Sequence, residues 1–262
     1  MATKLALDLT GKDGTNGTFS WLFTPTGISY YLTTLAYDTT LALATPVLLR
    51  YNTYSHEARV TGTSPRTTLR VINPDHPYAY NISINGGHWD IYAGNQEDSI
   101  FGATPDDNRI DALGGSDTID VQDRNTVYCG VGNYNITVRS GNTVHSGKTS
   151  TSSTDIDDLF DNDTIKASDA NWIASGYGDD SVVGVSSNTI FAGAGNDQVH
   201  ASDHSYIDAG SGNDTVDFDY YAHHSTVIGG DGQDSLVAGE SDIVYGDGVT
   251  DTNFDTNPAS AY

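Results

Sequence analysis

Cysteine is all but missing. Cys129 is the single one, which excludes an internal disulfide and reads as a small buried side chain at a turn position. In an exported fold, calcium can take over as the staple. Positive charge is scarce too: 11 Lys and Arg face 35 Asp and Glu, for a formal charge of −24 and a pI near 4.2. That balance argues against nucleic acid and anionic membrane as partners and favours cations. Of the acids only Glu57, Glu97 and Glu240 are glutamate. The rest are aspartate, a poor helix former suited to turns and to hard cations. No run is long enough to cross a bilayer, since Leu41–Leu49 is short and broken by Pro46, so membrane insertion is not expected. The opening residues read as lacking a cleavable signal.

Enzyme signatures are also missing. There is no G-x-S-x-G elbow and no phosphate-binding Walker loop. His56-Glu57-Ala-Arg-Val60 begins like a zinc-protease helix, but Val60 stands where the second histidine is needed. Carboxylates are too abundant for any pair of them to be diagnostic.

What is present is a repeat. Gly176-Tyr-Gly178-Asp-Asp180-Ser-Val182 is followed by Gly193-Ala-Gly195-Asn-Asp197-Gln-Val199, then by Gly210-Ser-Gly212-Asn-Asp214-Thr-Val216 and Gly230-Asp-Gly232-Gln-Asp234-Ser-Leu236. The aspartates recur at 17, 17 and 20 residues. A unit this short cannot close a core alone, so copies must stack as a solenoid. The glycines permit tight turns with positive φ, the aspartate offers hard oxygens, and the aliphatic residue two positions later points inward. Stacking coils about 4.8 Å apart would also stack the carboxylates, which calls for something positive between them. A metal-free Asx-turn is the plainer reading of the same aspartates.

The segment resembles the RTX (repeats-in-toxin) nonapeptide G-G-x-G-x-D-x-U-x, which Ile228-Gly-Gly-Asp-Gly-Gln-Asp-Ser-Leu236 matches in full. The resemblance implies a right-handed parallel β-roll whose turns hold several Ca²⁺ ions, with Gly178, Asp180, Gly195, Asp197, Gly212, Asp214, Gly230, Gly232 and Asp234 at the sites. RTX relatives leave bacteria by one-step export directed from the C-terminus, so this implication stands without a leader.

Counting extends the pattern. Asp98, Gly115 with Asp117, and Asp163 belong to degenerate units; Tyr134 occupies the aspartate position of another, which keeps its turn and loses its ligand. A 12-residue excess falls in the Ser/Thr-rich stretch His145 to Asp158. A second series, including Asp106-x-Asn108, Asp123-x-Asn125, Ser140-x-Asn142, Asp169-x-Asn171, Ser186-x-Asn188 and Asp203-x-Ser205, lies eight or nine residues from its neighbours. This edge has no Gly-x-Gly. Its Asn and Ser side chains are suited to bonding the turn backbone or stacking as a ladder, so calcium is expected along one edge only.

The fold class expected is therefore all-β, in three parts. Residues 1–85, with six Lys/Arg against five acids, form an antiparallel β-sandwich or barrel that caps the first rung. Residues 86–250 form the β-roll with rungs of about 17 residues, and 251–262 form a polar tail or a strand that docks on a neighbour. Leu5-Ala-Leu-Asp-Leu-Thr-Gly11 resembles the start of some phage tail-fibre and virion proteins over one strand.

Phe218, Tyr220, Tyr221, His223 and His224 lie in a half-rung three residues longer than usual, suited to contacting a partner or a cell-surface glycan, or to ordinary loop packing. His204 and His224 fall at comparable places, where they can share a transition metal or simply lie on the surface. Together these readings point to a non-catalytic, calcium-stabilised structural or adhesive protein outside the cell, self-associating or docked into a larger assembly: a bacterial surface layer or adhesin, or a virion exterior. The second reading is a polysaccharide-acting enzyme of the lyase or epimerase type, or its binding module.

Overall fold

In the computed structural model the backbone is described for the strands between residues 3 and 71. Backbone and side chains are described for 79, 81–84, 89–102, 107–147, 161–219, 223–237 and 241–246, and Asn85 by its backbone. Every regular element among the described residues is a β-strand. The chain divides into two compact units, Met1–Gly130 and Val131–Tyr262.

In the first unit, β1 (Thr3–Thr10), β2 (Asn16–Thr24) and β3 (Gly27–Leu32) pair antiparallel, as do β4 (Thr39–Ala42), β5 (Leu48–Asn52) and β6 (Glu57–Thr61). Pairing turns parallel where β3 meets β7 (Thr67–Val71) and where β6 meets β8 (Asn81–Asn85). From there two parallel sheets advance together. One runs through β9 (Trp89–Tyr92), β11 (Arg109–Asp111) and β13 (Thr126–Tyr128); the other runs through β8, β10 (Ser99–Gly102) and β12 (Thr118–Val121).

Parallel coiling thus begins before residue 86, inside the stretch expected to be wholly antiparallel. The change near residue 85 is one of charge balance along the sequence, and charge balance does not dictate strand pairing. The earliest coils also lack the Gly-x-Gly-x-Asp signature, so in sequence they look like any β segment.

The second unit is a parallel β-solenoid. One sheet holds β14 (Asn135–Val138), β16 (Thr164–Ala167), β18 (Ser181–Gly184), β20 (Gln198–Ala201), β22 (Thr215–Phe218) and β24 (Ser235–Leu236). The other holds β15 (Thr143–His145), β17 (Trp172–Tyr177), β19 (Thr189–Ala194), β21 (Tyr206–Ser211), β23 (Thr226–Asp231) and β25 (Ile243–Tyr245). The register advances by 17 residues from Asp163 to Asp180 but by 29 from Tyr134 to Asp163. The 12 extra residues therefore fall between β15 and β16, where they were expected, and 148–160 lie outside the described residues.

Alternate side chains enter the core. Ile165, Val182, Val199 and Val216 stack in one column, and Ile173, Ile190, Ile207 and Val227 in the facing one, all 2% exposed or less. Ile119 of the first unit is buried in the same way. Burying one such side chain is worth roughly 2 kcal/mol, and the coil repeats the gain at each turn.

The two edges of the coil turn differently. Gly178, Gly195, Gly212 and Gly232 have φ between 110° and 146°, and a β-carbon on Gly195, Gly212 or Gly232 would overlap the carbonyl oxygen of the matching glycine one coil earlier. At the opposite edge of the second unit one residue per described coil is left-handed, with φ of 57° to 77°. Ala170, Ser187, His204, His224 and Ser241 hold this position. There the strain of about 1 kcal/mol is accepted because the side chain has room. Gly212→Ala is accordingly expected to cost about 3 kcal/mol or more and Gly141→Ala, at the opposite edge, about 1 kcal/mol. Denaturant titration of both variants checks this, and equal losses would contradict it.

Candidate metal centre

The aspartates of the glycine turns share the inward parity of the valines that follow them. In the second unit Asp163, Asp180, Asp197, Asp214 and Asp234 form one column, each 1–2% exposed. Each offers Oδ1 to the backbone N–H of the equivalent residue one coil earlier: Tyr134 donates to Asp163 at 2.8 Å, Asp163 to Asp180 at 2.7 Å, Asp180 to Asp197 and Asp197 to Asp214 at 2.8 Å, and Asp214 to Asp234 at 2.9 Å. Tyr134 holds the aspartate's place, as its spacing implied, and is buried. In the first unit Asp98 donates its N–H to Asp117 Oδ1 at 2.7 Å, while Gly94 donates to Asp98 Oδ2 at 2.8 Å.

The second carboxylate oxygen is where the column is incomplete. Oδ2 of Asp117, Asp197 and Asp214 is buried without a hydrogen-bond donor. At Asp163 and Asp180 the hydroxyls of Ser146 and Ser175 lie beside the carboxylate and oppose the effect of burial, but each has a single proton and also faces a carbonyl, that of Ser175 at 3.2 Å and of Ala192 at 2.9 Å. An ionised carboxylate in this setting is costly unless a cation or a proton neutralises it. Burial pushes Asp117 and Asp180 up to about 8, Asp163 and Asp197 to about 7 and Asp214 to about 6. The amide hydrogen bond opposes that rise, and neighbouring carboxylates add to it.

The opposite edge of the core is built from neutral groups and is satisfied. Asn142 donates its N–H to Asn171 Oδ1 at 2.8 Å and Asn171 to Asn188 Oδ1 at 2.9 Å, and each side-chain amide donates along the same column at 3.1–3.2 Å. Ser205 and Ser225 continue it by accepting from Asn188 and Ser205. In the first unit Asn108 and Asn125 repeat the arrangement.

A third, exposed ladder follows the outside of the glycine turns: Asn162 donates its N–H to Asn133, Asp179 to Asn162, Asn196 to Asp179, Asn213 to Asn196 and Gln233 to Asn213, at 2.7–3.0 Å. Sequence reading missed it, although the Asn, Asp or Gln just before each core aspartate of the second unit is its signal.

The remaining candidates are scattered. Phe218, a candidate for partner contact or for ordinary packing, enters the core at 7% exposure, because it lies two residues beyond inward Val216. Tyr220 and Tyr221 lie outside the described residues. His223 donates its N–H to Asp203 Oδ1 at 2.7 Å, and the rings of His204 and His224 stack 17° from parallel with centroids 5.3 Å apart. Cys129, expected to be buried, is half-buried.

Among the described residues no three His, Cys, Asp or Glu side chains converge in a way that would hold a metal ion. The column supplies one carboxylate per coil, so further oxygens would have to come from turn carbonyls; hard oxygen donors with an uncompensated negative charge suit Ca²⁺. Comparison with protein-family models, with curated proteins and with solved structures finds no match.

These carboxyls keep their protons in the fold to about pH 6–8 but release them near pH 4 when unfolded, so the folded state holds more protons across that window. In chelator the melting temperature should therefore fall as pH rises from 4 to 8. The fall should be shallower when Asp180, Asp197 and Asp214 are replaced by asparagine. Equal slopes in a calorimetric pH series would place the effect elsewhere.

Proposed function

We propose that the chain is a non-catalytic structural or adhesive element of an extracellular surface, its solenoid clamped by Ca²⁺ along the glycine edge, with Gly230 and the other turn glycines furnishing backbone oxygens to the aspartate column. The observation that carries this reading is the set of buried carboxylate oxygens without donors at one edge of the core, set against a neutral and satisfied Asn/Ser ladder at the other.

Calcium as the clamp favours a site of action outside the cell, where modules of moderate affinity are filled. A chain without any possible internal disulfide gains from such a clamp, because an ion that binds the folded state alone stabilises it by mass action. In this reading the nearly neutral stretch 1–85 docks to a larger assembly on a bacterial surface or virion, and the acidic coils project from it.

Millimolar calcium should raise the melting temperature by about 10 °C or more over chelator, and magnesium should not substitute. The variant with Asp180, Asp197 and Asp214 as asparagine keeps an acceptor for each backbone N–H. It should fold in chelator while losing most of the calcium response and several bound ions by elemental analysis. Identical melting with calcium and chelator would overturn the proposal, and a full response in the variant would move the ions away from this column.

A further inference from the structure

The outer face of the sheet formed by β15, β17, β19, β21, β23 and β25 carries a ridge of rings that the cation column does not explain. His145, Trp172, Phe191 and Tyr206 follow one another over four successive coils, with centroids 4.8, 5.5 and 5.9 Å apart and planes tilted by 45–53°. All four are half-buried on the outward parity of their strands. The ridge zigzags because each ring's partner in register is smaller: Ala174 opposite His145 and Phe191, and Thr189 opposite Trp172 and Tyr206. Cross-strand packing of rings stabilises a sheet, but it does not require the face to be kept clear of charge. In a chain with 35 acids, the outward positions in register with these rings hold a single carboxylate, Asp208. The outer face of the other sheet in the same unit, by contrast, carries Lys166, His200, Asp217 and Asp219.

We infer that this face binds a neutral, extended polysaccharide laid along the stack of coils. A surface repeating at one strand spacing, about 4.8 Å, suits a ligand that is itself a repeating polymer. Rings interleaved with threonine hydroxyls give apolar patches for the C–H faces of sugars beside donors and acceptors for their hydroxyls. The charge of −24 repels acidic polysaccharides and a second copy of the chain, whereas a neutral glycan pays no such penalty. The site is separate from the aspartate column, so its failure and that of the calcium reading are distinguishable.

The test uses the full chain in calcium buffer. Affinity electrophoresis through hydroxyethyl cellulose, glucomannan and dextran, together with pull-down on insoluble cellulose and chitin, supplies the neutral probes, and alginate is the acidic control. At least one neutral polysaccharide should retain the protein and alginate should not. The variant with Trp172, Phe191 and Tyr206 as alanine should bind at least tenfold more weakly, and His200→Ala, on the other sheet, should bind unchanged. If the triple variant melts early, Thr189→Glu, which sets a charge on the face and keeps every ring, should weaken retention to the same degree. Absence of retention on every neutral probe overturns the inference, as does undiminished retention in the face variants. A dimer seen by sedimentation and lost in those variants, without polysaccharide binding, would assign the face to a second copy and overturn it as well.

Discussion

A carboxylate inside a protein must be neutralised, and this chain puts one there on nearly every coil of its second unit. The backbone does half of that work. Each Oδ1 takes the N–H of the coil before it, which fixes the aspartates in line and ties successive turns together. At Asp197 and Asp214 the same bond holds Oδ2 in a buried place where no donor reaches it. The tie between coils and the demand for a cation or a proton thus come from one side chain, through its two different oxygens.

The glycines make that alignment possible. Coils stack so closely at this edge that a β-carbon on Gly195, Gly212 or Gly232 would meet backbone, which is why Gly-x-Gly recurs where the aspartates do. The opposite edge has the same spacing, but its positive-φ residues sit at 57° to 77°, in the left-handed region that alanine, serine and histidine can adopt, whereas the glycine turns reach 110° to 146°. Both the wider φ and contact with the neighbouring coil therefore demand glycine at the first edge. The edges also differ in charge: asparagine both accepts and donates within its column and leaves nothing to neutralise, whereas aspartate only accepts.

Much of this was legible in the sequence, for reasons tied to particular residues. The 17-residue period, the inward parity of Val182, Val199 and Val216, the substitution of Tyr134 and the excess before Asp163 all follow from counting, because a solenoid turns position in the chain into position in a column. Bonds between columns were harder to read. That Asp180 would accept the N–H of Asp163, or that Asn196 would bond Asp179 on the outside of the turn, depends on which of two adjacent acidic or amide residues faces inward, and composition does not say. The early coils around β6 and β8 lack the glycine turn and so look like any β segment, and Phe218, beside tyrosines and histidines, suits a contact surface as well as loop packing. Parity of two from Val216 is the signal that decides between them, in favour of the core.

Stacking also explains why separate chemistries can sit on one simple coil. A residue that would be incidental on one turn becomes a continuous feature when the turn is repeated, so the inner corner becomes a line of charge, the far corner a neutral amide ladder, and one outer face a ridge of rings. The lines run side by side at different places around the coil, and their side chains do not compete for space. Asp197 and Phe191 are only six residues apart, yet one points into the core and the other out of it. A change in the aspartate column therefore acts on the core of the stack, while a change in the ring ridge acts on its outer face. The two can vary independently as long as the 17-residue spacing is kept.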